Sequence, residues 1–226
     1  MTSVGELLTV LNGRDDLLEG LWAMELEPLF ARLKQAEVRA VTGPTFSITG
    51  EHQTPASHNV LMLLRHHRVV DAINQAGLIP IPNLYWRTAA DRGRWVEWLQ
   101  QHPSVRVISR DFSRTKNRSS FRYEFEGLLE IVRGAGSGLH VVLVGVGTGK
   151  AFEAFHRLGD VGSTATIVSA EPVMRAIKHG LGMRREKGSV PTITVSQMTR
   201  FELAEANLMV MKEYLEDLAA EVGIKN

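Results

Sequence analysis

The chain has no cysteine among its 226 residues, which excludes disulfides, thiolate zinc ligands and a cysteine nucleophile and fits a reducing compartment. It has no excess charge of either sign: 26 Lys plus Arg stand against 25 Asp plus Glu, so whole-chain charge argues for neither a nucleic-acid coat nor an acidic tail. Any electrostatic argument is therefore local. No apolar run approaches the roughly 20 residues that span a bilayer. Residues 1–16 lack the basic and apolar regions of a signal peptide, so a soluble, cytoplasmic protein with no membrane partner is expected. Also missing are a Gly-x-Ser-x-Gly elbow, a His-x-x-x-His pair and a carboxylate triad at helical spacing, which leaves serine and metal hydrolases without support. His66 and His67 are adjacent in a helical stretch, where neighbours diverge by about 100° and cannot chelate one ion. No metal and no cofactor are assigned.

Against these absences, 44% of the residues are apolar, enough for one sizeable core in a chain of this length. Ser3 and Glu6 have capping-box spacing before Leu7, Leu8 and Leu11, which predicts a short helix. Residues 15–36 then carry apolar positions at threes and fours around Pro28, which predicts two more. Beyond residue 37 a strand-then-helix rhythm sets in. Strands are predicted over 38–42, 78–84, 105–109, 140–146 and 164–169, each followed by an amphipathic stretch, with 192–195 a candidate sixth. Gly77 and Gly180 end helices, Asp91 caps one and Pro172 suits a first turn. Thr199 and Glu202 repeat the capping-box spacing before a long seam that runs from Phe201 to Val222. Such a seam either closes the open side of a sheet or pairs with a second copy or a partner protein.

Successive βα units imply a parallel sheet whose strand ends converge on one site. The most informative unit is the apolar run from Leu139 into Gly145, Gly147, Gly149 and Lys150, a buried strand, a tight turn and a helix. Backbone N–H groups of Gly147, Gly149 and Lys150 could cradle a phosphate. The run is not a Walker loop, since Val144 and Ala151 stand where that motif needs Gly and Ser or Thr, and the glycines could serve the turn alone. Arg106, Arg110, Arg114, Lys116, Arg118 and Arg122 surround the single acid Asp111. Arg110, Arg114 and Lys116 are the candidates for binding a polyanion or a phosphorylated small molecule, unless the loop is simply solvated. Asp111 follows a strand between two arginines that would keep it ionised, as nucleophile, base, metal ligand, cap or ion-pair partner. By the same placement Glu51, Asn83 and Glu171 follow other strands and join it as candidate catalytic residues.

The segment Leu143-Val144-Gly145-Val146-Gly147-Thr148-Gly149 and the following Ala-Phe-Glu-Ala-Phe helix resemble a late βα unit of the queuine and archaeosine tRNA-guanine transglycosylase barrels. In layout, residues 44–180 are similar to an uncharacterised barrel-like family of phages and mobile elements, through Ile79-Pro80-Ile81-Pro82-Asn83 and the Val-Gly-x-x-x-Gly-Lys region. The transglycosylases carry a cysteine-built zinc site that this chain lacks. No position matches their catalytic aspartate, and Glu171 sits in a different motif. The resemblance implies a (β/α) barrel or a truncated relative, without base exchange itself.

The expected fold is α/β: a TIM-like (β/α) barrel, incomplete if the five or six strands counted are all there are, with an open doubly wound sheet as the alternative. Its expected parts are a helical N-terminal extension over 1–36, the barrel-like domain over 37–195 and an amphipathic C-terminal helix over 196–226. The expected function is that of an enzyme, of the glycosyl transferase or hydrolase type, acting on a nucleobase, nucleotide or nucleic acid at the strand ends. The alternative is a noncatalytic nucleic-acid-binding or assembly subunit of a phage or mobile-element system.

Overall fold

A computed structural model describes residues 7–13, 17–19, 21, 26–48, 55–115, 117–136 and 138–223. The chain is mixed α/β with parallel strands and divides into two compact units, Met1–Ser109 and Arg110–Asn226. Neither boundary drawn from the sequence, after 36 or after 195, coincides with that division.

In the first unit, strands β1 (Leu7–Val10), β2 (Val38–Thr42) and β3 (Ile79–Ile81) form a parallel sheet of order β1-β2-β3. Helices α1 (Glu27–Gln35), α2 (Ala56–Gln75) and α3 (Ala89–Gln101) alternate with them. The helix predicted from Ser3 and Glu6 is thereby corrected: Leu7–Val10 is a strand paired with β2 from Leu7↔Val38 to Val10↔Thr42. Pairing outweighs local spacing here, because this largely apolar tetrapeptide, Leu-Leu-Thr-Val, gains a ladder with β2 that an isolated short helix cannot match. Phe30 of α1, Val38 and Val41 of β2, and Met62, Val69 and Ile73 of α2 make the core of this unit. Gly77 (φ +74°) ends α2 in the left-handed conformation, as expected. Helix α3 is capped by Thr88, with Asp91 closing the capping box from the third position rather than standing at the cap itself.

Beneath α2 and α3 lies a buried aromatic cluster. Trp95 donates its indole N–H to the Tyr85 carbonyl at 2.8 Å, and the Tyr85 hydroxyl donates to the Met62 carbonyl at 2.9 Å. His66 is fully buried, with Nδ1 2.7 Å from the Pro44 carbonyl and its ring edge-on to both Tyr85 and Trp95. A Cβ on Gly43 would stand 2.4 Å from His66 Cε1, so only glycine lets the chain after β2 pass the ring. Burial pushes the His66 pKa down to about 3 and raises that of the Tyr85 phenol.

The division between units falls inside β4 (Val107–Asp111). In the second unit, the end of β4 is followed by α4 (Arg118–Ala135), β5 (His140–Val144), α5 (Thr148–Gly159) and β6 (Thr164–Val168). The strand order is β4-β5-β6, and β5 runs parallel to β6 from His140↔Thr164 to Val144↔Val168. A short helix α6 (Glu171–Met174) continues as a π-helical turn over Arg175–His179 and stops at Gly180 (φ +66°). Strands β7 (Leu181–Met183) and β8 (Thr192–Thr194) then form an antiparallel pair. The candidate sixth parallel strand at 192–195 is thus corrected: β8 belongs to this separate hairpin. Among the described residues no pairing closes a barrel.

Helix α7 (Arg200–Glu221) begins with the predicted Thr199–Glu202 capping box. Buried Asn207 fastens it down: its Oδ1 accepts from the Met183 N–H at 2.6 Å, and its Nδ2 donates to the Pro172 and Leu181 carbonyls, each at 3.0 Å. All polar groups of the amide are matched, which makes a buried asparagine tolerable among Leu203, Met211 and Leu218. No helix among the described residues is long and apolar enough to cross a membrane.

Candidate functional site

The turn between β5 and α5 is built around two glycines that cannot be replaced without movement. Gly145 has φ +75°, and a Cβ there would lie 2.6 Å from the Ser113 backbone. Its N–H donates to the Val168 carbonyl at 2.8 Å, while the Phe112 N–H donates to the Val144 carbonyl at 2.7 Å, so neighbouring strand ends hold the turn on both sides. A Cβ on Gly147 would lie 2.7 Å from Glu171 Oε2. By contrast, nothing lies within 4 Å of a Cβ on Gly149.

Glu171, just after β6, bonds to this turn directly, whereas Asp111, at the end of β4, bonds to Ser113, which borders it. Asp111 accepts from the Ser113 N–H at 2.8 Å and from its hydroxyl at 3.0 Å, which shapes the residue that Gly145 packs against. Glu171 accepts from the Thr148 N–H at 2.9 Å through Oε2 and from Arg175 Nε at 3.0 Å through Oε1. Helix α5 has no side-chain cap of its own, and Gly147 stands at its cap position. Glu171 therefore supplies the negative charge that a helix N-terminus attracts, at the place where a phosphate was expected. An anion cradled by Gly147, Gly149 and Lys150 would have to share or displace that carboxylate.

Lys150 turns away to a different task. Its ammonium donates to the Thr115 carbonyl at 3.0 Å and lies 5.1 Å from the centre of the Phe121 ring. It ties α5 to the loop after β4. The arginines that flank the basic loop, on β4 and α4, are countered as well. Arg110 pairs with Glu124 at 2.7 Å, and Arg122 and Arg118 converge on Glu153 at 2.7 and 3.3 Å. The hydrogen bond from Arg122 holds the Glu153 carboxyl below the ordinary carboxylate range. Arg114 is exposed and has no partner among the described residues.

Glu171 and Gly147 thus meet at one turn of the second unit, which Asp111 borders through Ser113; Lys150 follows on α5, Arg110 lies in β4 and Arg114 on the loop after it. Asn83 belongs to the first unit, where its side chain is buried and its Nδ2 donates to Thr45 Oγ1 at 2.7 Å. Glu51 and Lys116 lie outside the described residues.

No family model, curated protein or solved structure matches the chain.

Sequence reasoning missed Ser113, Thr148, Glu153 and Arg175. Arg175 had a signal, four residues after Glu171 on a helix, which is the spacing of an ion pair. Glu153 had none, since its arginines lie 31 and 35 residues away. No group of three or more His, Asp or Glu that could hold a metal occurs among the described residues.

Chemically, the arrangement offers two carboxylates, after the strands that flank β5, near a glycine turn, with exposed Arg114 on the loop after β4. Carboxylates so placed can accept N–H groups of a heterocycle or act as general acid and base.

Proposed function

We propose that the chain is a relative of the TIM-like (β/α) barrels and an enzyme that acts on a nucleobase-bearing substrate, as a free base, a nucleotide or part of a nucleic acid, at the C-terminal ends of its parallel strands. Strand order that follows chain order, β1-β2-β3 and β4-β5-β6, supports the barrel relationship, because a doubly wound sheet reverses order at its switch point. The observation that supports the functional reading is that Glu171 bonds to the turn after β5, while Asp111 bonds to Ser113, the residue on which Gly145 of that turn packs. In this reading Asp111 or Glu171 is the acid, base or nucleophile, and Arg114 with Lys116 holds phosphate. The local likeness to transglycosylase barrels supports a glycosyl-type reaction.

The test is a thermal-shift screen of the purified full chain against bases, nucleosides, nucleotides and oligonucleotides. A stabilising ligand whose effect disappears in Asp111→Asn or Glu171→Gln is expected. Absence of any response, or a response indifferent to both substitutions, overturns the proposal.

The noncatalytic alternative draws on exposed Arg114 and on α7, where Phe201 is 82% exposed. It requires salt-dependent oligonucleotide binding that is lost when Arg110, Arg114 and Lys116 are replaced and is unchanged in Asp111→Asn.

A further inference from the structure

The sequence contains one Asn-Gly pair, Asn12-Gly13. It lies just beyond the end of β1, outside any helix or strand, and Asn12 is exposed. The Gly13 N–H donates to Oδ1 of Asn12 at 2.9 Å, so the side-chain amide folds back over the peptide bond that follows it. The connection is anchored on both sides of the pair. The Leu11 N–H donates to Oγ1 of buried Thr42 at 3.0 Å, and Leu11 packs against the core of the first unit, to which Leu18 also belongs.

We propose that Asn12 is a site of self-modification, at which the chain converts its own amide to aspartate and isoaspartate through a cyclic imide. The backbone nitrogen of Gly13 loses its proton to solvent base and bonds to Cγ of Asn12. The Cγ–Nδ2 bond breaks and ammonia departs. Water then adds to one of the two imide carbonyls and breaks its bond to nitrogen, which recovers a proton. Addition at Cγ gives aspartate. Addition at the backbone carbonyl carbon gives isoaspartate, in which the chain runs through Cβ and Cγ and is longer by one methylene. No oxidant, metal or second protein enters the reaction.

Three features of the site favour this chemistry. The attacking nitrogen already lies against the amide, and holding two reacting groups together removes much of the entropic part of a barrier. Gly13 has no Cβ to obstruct ring closure or to restrict its backbone. Exposure of Asn12 admits the base and the water. The new carboxylate cancels the formal net charge of +1, and isoaspartate lengthens a connection whose anchors, Leu11 and Leu18, are both held in the core. The site is independent of the turn after β5 and of any catalytic role.

The test incubates the purified full chain in mildly alkaline buffer beside the acetylated, amidated peptide Leu-Asn-Gly-Arg, with both followed by isoelectric focusing and peptide mass mapping. Conversion of residue 12 to both aspartate and isoaspartate is expected, at a rate within about tenfold of the peptide's. Gly13→Ala is expected to slow it about tenfold or more. A Cβ at Gly13 would lie 3.9 Å from the Leu17 side chain, an ordinary contact, so that substitution meets no obstacle in the fold. Aspartate without isoaspartate would overturn the proposal, because direct hydrolysis of the amide leaves the backbone unchanged. A folded chain more than about tenfold slower than the peptide would do the same. So would a Gly13→Ala rate that falls short of the expected slowing.

Discussion

Glu171 and Thr148 are joined by a 2.9 Å hydrogen bond from the backbone N–H of one to the carboxylate of the other, across 23 residues of chain. This bond turns an apparent anion site into one already furnished with its own anion. Replacing Glu171 by Gln keeps the shape and removes the charge, and a loss of roughly 0.5–2 kcal/mol in unfolding free energy is expected, the range of a charged helix cap. Urea denaturation monitored by far-ultraviolet circular dichroism measures it. An unchanged midpoint would mean that the negative charge contributes no net stability.

The glycines around that turn should separate by role. Gly145→Ala places a methyl group against the Ser113 backbone at a positive φ and should cost roughly 1–3 kcal/mol or more. Gly149→Ala, in the first turn of α5 with open space around it, should be neutral or stabilise by up to about 1 kcal/mol. Paired melting curves of the two variants check the contrast.

The buried His66 makes stability depend on pH. Its folded pKa of about 3 lies below the ordinary 6.5, so between those values the unfolded chain binds a proton that the folded chain does not. Stability is then fully present above about pH 6.5 and falls as pH drops toward 3, with a limiting slope of about 1.4 kcal/mol per pH unit for one proton. The depressed pKa values of His67 and His140 act in the same direction. Unfolding midpoints at pH 7.5 and pH 5 should differ, and His66→Gln should shrink the difference. An equal difference in the variant would remove His66 as the cause.

Glu153 holds two arginines of the start of α4, Arg118 and Arg122. Glu153→Gln should release two cations and strengthen the binding of a single-stranded oligonucleotide, with a steeper dependence on salt, as read by fluorescence anisotropy. Identical salt slopes in the two proteins would show that these arginines do not face the nucleic acid.

Much of the architecture was legible because a parallel strand buried on both faces advertises itself as an apolar β-branched run, as in His140–Val144, and β6 is rich in β-branched residues although Thr166 is exposed. Caps were equally readable at Thr199 and Gly180, where a single residue type answers a local backbone need. Leu7–Val10 was misread because its structure is decided by a partner, β2, about 31 residues on. Thr192–Thr194 was recognisable as a strand, but its antiparallel partner Leu181–Met183 could not be inferred from its own residues. At the candidate site, the carboxylates and glycines stood out as residue types. Their mutual engagement did not, because Glu171 on Thr148 and Asp111 on Ser113 are choices of geometry that spacing does not encode.

Mapping of the ligand that responds in the screen is the most direct measurement, made by following backbone amide shifts of the labelled full chain as that ligand is added. The account predicts that saturable shifts centre on Ser113, Gly145, Gly147 and Thr148 and vanish in Asp111→Asn. Saturable binding that leaves those amides unmoved would contradict it.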